Sequence, residues 1–128
     1  MKARASPATE GDADTFVKVG DAEIDRLHAE TERLLVLACR ALGNEFWRCF
    51  GELVRHTEIH FQCEESLMAE IGFPHKAEHI AEHRQLLQEL RLFGRREQMA
   101  RAYVCERLGE RLALHVSRMD SLLADYLR

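Results

Sequence analysis

The chain has 128 residues and a formal net charge of −4. That length can bury one core without staples, and the mild negative charge gives nucleic acid no basic face to bind. No run approaches the roughly 18 consecutive apolar residues of a membrane span. Lys2 and Arg4 are not followed by the apolar core of a secretory signal, so the expected compartment is the cytoplasm.

Residues 1–15 are polar and small and are expected to form a flexible tail, leaving 16–128 as the folded domain. Phe16-Val17-Lys18-Val19 is too short for a strand and reads as an extended arm laid on the core. A first helix opens after Asp21, a good N-cap. Its apolar seam is Ile24, His28, Thr31, Leu35, Ala38 and Leu42, closed by Gly43. A second opens at Asn44 and carries Phe46, Phe50, Leu53, Thr57, His60, Glu64, Met68 and Ile71. The third starts at Pro74, which suits a first turn, and carries His79, His83, Leu86, Leu90 and Phe93 before Gly94. The fourth runs from about Arg96 to Tyr126 through Leu108, Leu112, His115, Met119, Leu122 and Tyr126, with Gly109 as an interruption. Short connections make consecutive helices antiparallel neighbours, so the expected fold is all-α, an up-down-up-down antiparallel four-helix bundle.

The polar residues on those seams carry the chemistry. His60 and Glu64 are four apart, as are His79 and His83, so each pair shares one helix face about one turn apart. His28, His60, Glu64, His79, His83 and His115 all fall at interior positions. A single buried histidine is more often a hydrogen-bonded core residue than a ligand. Five with a carboxylate, drawn from four helices, are too costly to bury unless something satisfies them. A metal does so.

Other candidates weigh less. Asp120 stands five residues after His115, about 140° round an α-helix, which spacing alone assigns to the surface. His56 flanks its seam and reads as a rim histidine, and His75 as a solvated one. Glu65 turns about 100° from Glu64, towards solvent. Asp25 either holds His28 from behind or serves as a helix-start acid. Cys39, Cys49, Cys63 and Cys105 show no C-x-x-C spacing. In a reducing cytoplasm all four are expected to be thiols, with Cys63 a small buried apolar residue.

Four stretches together resemble the bacteriohemerythrins. They are Val19-Gly20-Asp21-Ala22-Glu23-Ile24-Asp25-x-x-His28, His60-Phe61-x-x-Glu64-Glu65-x-x-Met68, Phe73-Pro74-x-x-x-x-His79-x-x-x-His83 and Leu112-x-x-His115-Val116-x-x-x-Asp120. The resemblance implies two iron ions inside the bundle, with an oxo or hydroxo bridge. His79, His83 and His115 would hold one iron and His28 and His60 the other, with Glu64 and Asp120 bridging. It is the resemblance, not the spacing, that makes Asp120 a ligand. It also implies that Phe61 and Leu112 line an apolar oxygen pocket. The family usually has a tryptophan immediately before that leucine; here Arg111 brings a cation to or near the pocket wall.

Two histidines and three bridging oxygens leave one position open on the second iron, as a small-molecule site requires. The expected function is reversible dioxygen binding, as a carrier, store or supplier of an oxygen-using enzyme partner, rather than catalysis. The alternatives are a sensor of oxygen, nitric oxide or redox state, and a di-iron peroxidase or scavenging enzyme. A ferritin-like centre would need Glu-x-x-His pairs. The residues three before His60, His79, His83 and His115 are Thr57, Lys76, Ile80 and Leu112, which excludes it.

Overall fold

The structure, a computed structural model, describes residues 16–128; the tail assigned to 1–15 lies outside them. The described residues form four helices and no strand. α1 is Ala22–Arg40, α2 Glu45–Ile71 and α3 Lys76–Phe93. The fourth helix covers 97–127 in alternating segments: α4 (Glu97–Tyr103), a π-helical turn (Val104–Leu108), α5 (Gly109–His115), a second π turn (Val116–Asp120) and α6 (Ser121–Leu127). It passes through Gly109 without a break.

The helix ends follow local chemistry. Asp21 caps α1 by accepting from the Ile24 N–H at 3.0 Å. α1 stops at Arg40, before the predicted Gly43, because Ala41 turns extended. Leu42, expected on the seam, is therefore in the loop and 82% exposed. α2 ends on Gly72, whose φ of 65° puts it in the left-handed region that favours glycine. α3 begins two residues after Pro74, at Lys76, and ends at Gly94.

Phe46, Leu53, Met68, Leu86, Leu90, Leu108 and Leu123 are fully buried between the helices, each contributing about 1.5–3 kcal/mol by leaving water. α1 packs on α2, α2 on α3, and the fourth helix closes against α1 and α3. A Cys39–Cys105 disulfide ties the end of α1 to the first π turn, which corrects the expectation of four thiols. Their Cα atoms are 5.2 Å apart, well within bridging range, a proximity that no local spacing announces. Arg101 adds a 2.8 Å bond to the Ala41 carbonyl. Cys63 is exposed rather than buried.

The second π turn resets the register of the fourth helix. The Ser121 N–H reaches back five residues to the Val116 carbonyl, so the turn holds one residue more than an α turn. Beyond it the buried residues are Asp120, Leu123 and Ala124, while Met119 is half-buried and Leu122 and Tyr126 are exposed. The predicted seam is thus displaced by one residue after His115.

Residues 16–20 lie outside any helix, with Phe16 and Val19 buried. Asp25 accepts from the N–H groups of Val19 (2.8 Å) and Gly20 (3.2 Å). It therefore fastens this segment rather than bracing His28. Glu32 accepts from the Phe16 N–H at 3.2 Å, and Arg128 donates to the Val19 carbonyl.

Candidate metal centre

Each helix delivers its polar residues to one point in the core. α1 supplies His28, α2 His60 and Glu64, α3 His79 and His83, and the fourth helix His115 and Asp120, all at most 5% exposed. They form two overlapping groups whose donor atoms lie within 4.8 Å of one another. One is Glu64, His79, His83, His115 and Asp120; the other is His28, His60, Glu64 and Asp120.

Glu64 and Asp120 belong to both groups, and each divides its two oxygens between them. Glu64 Oε1 faces His79 Nε2 at 3.2 Å and His83 Nε2 at 3.1 Å, while its Oε2 faces His60 Nε2 at 2.8 Å. Asp120 Oδ1 faces His79 Nε2 at 3.0 Å and His115 Nε2 at 3.2 Å, while its Oδ2 faces His28 Nε2 at 2.7 Å. All five imidazoles thus turn Nε2 inward onto two carboxylates.

The two carboxylates and the imidazoles around them favour one another's charged forms. Burial and the Asp120 charge push the Glu64 carboxyl up, yet contacts with His60, His79 and His83 hold it well below its usual range. Burial also raises Asp120, and His115, His28 and His79 overcome it. Burial lowers the His79 imidazole, but Asp120 and Glu64 raise it to about 9. Two carboxylate charges are therefore retained in the core.

Several atoms of the cluster have no hydrogen bond. His79 Nε2, His115 Nε2 and Asp120 Oδ1 are buried without any hydrogen bond, although they approach within 3.2 Å. Close approach without hydrogen-bond geometry, at groups that rarely go unpaired, fits cation coordination. An imidazole and carboxylate donor set suits iron among other divalent metals. The residues fit the group.

A cavity of about 10 Å³ abuts His28 and His60, with His115 and Asp120 also in its wall, about the space of one water-sized molecule. Its wall includes Phe16, Phe61, Leu112 and Val116, with the hydroxyl-bearing Thr31 and Thr57. Both hydroxyls donate to carbonyls one turn back, Leu27 at 3.0 Å and Leu53 at 2.8 Å. His56 stands at the rim, half-buried, its Nε2 3.0 Å from Thr31 Oγ1. His75 is exposed, away from the cluster.

A bacteriohemerythrin from Ralstonia nicotianae is 32% identical over 114 residues, spanning 85% of this chain and 82% of the relative. The chain belongs to the hemerythrin family. No family model matches it, and no solved structure does.

In this hemerythrin-family chain Arg111 is turned away from the cavity. Its guanidinium grips Glu89 of α3 in two places, Nε to Oε1 at 3.0 Å and Nη2 to Oε2 at 2.7 Å. Tyr103 donates to the same Glu89 at 3.0 Å. The direction of Arg111, which the sequence left open, is outward, where it forms a clasp between α3 and the fourth helix.

Two acids behind the cluster were not legible as site residues. Glu65, assigned to the surface, is half-buried with Oε2 2.8 Å from His83 Nδ1. Glu82, which no pattern singled out, lies 2.6 Å from His115 Nδ1. Each neighbours a seam residue, Glu64 or His83, and reaches across to a histidine of the next helix. That shared placement was the available signal.

Proposed function

We propose that this hemerythrin-family chain holds two iron ions and binds dioxygen reversibly beside one of them, within an antiparallel up-down-up-down bundle. His79, His83 and His115 would hold one iron and His28 and His60 the other, with Glu64 and Asp120 shared between them and an oxo or hydroxo group completing the pair. The division of both carboxylates between the two imidazole sets carries this reading, because a residue facing one ion would not need to split its oxygens. Contacts of α1 with the fourth helix (Cys39 with Cys105, His28 with Asp120), extended by Val19 with Arg128 just beyond their ends, run in opposite chain directions and support the antiparallel arrangement.

The iron pair, when bound, supplies the electrons for holding dioxygen. The chain's own residues shape the space and keep it dry. Phe16, Phe61, Leu112 and Val116 exclude water beside His28 and His60, which protects a reactive ligand from solvent. The cavity admits only a small molecule. Thr31 and Thr57 donate their hydroxyl hydrogen bonds to backbone carbonyls, so the pocket presents few donors that would promote loss of the ligand in reduced form.

One titration tests the reading: reduce the protein without oxygen, count iron, admit and withdraw oxygen, and follow visible absorption. Two irons per chain with a reversible oxygen-dependent band support an oxygen carrier or store. Two irons that oxidise without releasing oxygen replace it with a redox enzyme or sensor. No iron overturns it.

A further inference from the structure

We infer that Glu65 and Glu82 are positioning residues that make the two metal positions unequal, so that the one formed by His79, His83 and His115 fills first. This rests on the ligand assignment just proposed and extends it to two acids outside it.

The two halves of the cluster are braced differently. His83 is held from both sides, its Nδ1 2.8 Å from Glu65 Oε2 and its Nε2 3.1 Å from Glu64 Oε1. His115 is held likewise, its Nδ1 2.6 Å from Glu82 Oε1 and its Nε2 3.2 Å from Asp120 Oδ1. Phe61 stacks on the His83 ring at 3.8 Å and 4°, fixing its plane. A carboxylate behind Nδ1–H sets the tautomer, leaves the Nε2 lone pair facing inward and makes the ring a stronger donor.

Among the described residues, no carboxylate contact is found behind the other pair. His28 Nδ1 is buried without a hydrogen-bond partner. Among the described residues, the carboxylates in contact with His28 and His60 are the inner ones, Asp120 and Glu64. One position therefore has three imidazoles, two of them charge-braced, and the other has two unbraced ones. The bracing acids come from α2 and α3, each supporting a ring on the following helix, so the stronger position is built between α2, α3 and the fourth helix. The weaker one, beside the cavity, takes its imidazoles from α1 and α2 and shares Asp120 of the fourth helix.

The test is a titration of the metal-free protein with cobalt(II), followed by visible absorption, in the native chain and in Glu65→Gln and Glu82→Gln. The native chain should bind two equivalents in two resolved steps. Each amide variant keeps an acceptor oxygen but loses the charge, so the first step should weaken about 10- to 100-fold while the second is unchanged. The Nδ1–H proton signals of His83 and His115 should move upfield in the respective variants, which a purely structural role would not produce. Glu58→Gln, at an exposed Arg91 pair, should change neither step. Two native equivalents of equal affinity, or amide variants that weaken both steps alike or neither, would overturn the inference and leave the ligand assignment standing. Fewer than two equivalents in the native chain would overturn the ligand assignment itself.

Discussion

His115 and Asp120 turn to the same cluster from one helix, Nε2 to Oδ1 at 3.2 Å, although five residues separate them. In an α-helix that separation would place them about 140° apart. The π turn Val116–Asp120 absorbs the extra residue and brings them together. Deleting the exposed Arg118 should leave the aspartate four residues after His115, a spacing that shares a face in an ordinary α-helix. The deletion variant should keep two metal ions per chain and its helical circular dichroism. Loss of metal with retained helicity would show that the π turn itself is required.

Glu64 and His56 sit two turns apart on α2 with opposite expectations. Glu64→Ala removes oxygens facing both halves of the cluster and leaves His60, His79 and His83 without their shared carboxylate. It should lose most bound iron by elemental analysis; two irons retained would contradict the bridging role. His56→Ala should keep full metal content, since that ring contacts Thr31 and the Leu27 carbonyl.

The clasp between Arg111 and Glu89 should matter for stability and not for the cavity. Arg111→Ala should cost about 1 kcal/mol in denaturant unfolding, the scale of a partly exposed pair, with the oxygen-dependent spectrum unchanged. The Glu89 carboxyl is lowered, chiefly by its hydrogen bond from Arg111. Its contribution is therefore fully present above the unfolded carboxyl value near 4.5 and fades as pH falls through the depressed folded value. Arg111→Ala should flatten that acid limb of the stability profile. An unaltered limb would show that the clasp is idle.

The Cys39–Cys105 bridge closes a separation of 66 residues, for which loop closure suggests about 4 kcal/mol. Cys105→Ser, or reductant on the native chain, should lower stability by that order while iron content stays at two. A reduced protein of equal stability would show that the bridge adds nothing to the fold.

Much of this was legible in spacing. Steps of three and four exposed the helices and set His28, His60, Glu64, His79, His83 and His115 on one interior line. What escaped was whatever breaks the α period or crosses between helices. Asp120 was hidden by the π turn, which also displaced the seam from Met119, Leu122 and Tyr126 to Asp120 and Leu123. The disulfide, the Arg111 clasp and the reach of Glu65 and Glu82 depend on distant neighbours. A residue's angle on its own helix says nothing about what stands opposite.

One wall of the cavity belongs to no helix. Phe16 reaches it from the segment before α1, anchored by its N–H on Glu32, by Val19 and Gly20 on Asp25, and by Arg128 on the Val19 carbonyl. Peeling that segment breaks a few hydrogen bonds worth about 1 kcal/mol each and exposes Phe16 and Val19 at about 1.5–3 kcal/mol each. Parting two helices would expose the whole core between them. Weakening the Asp25 anchor should therefore loosen the Phe16 wall and shorten the stay of a small molecule in the cavity, while leaving the residues of the His, Glu and Asp cluster in place.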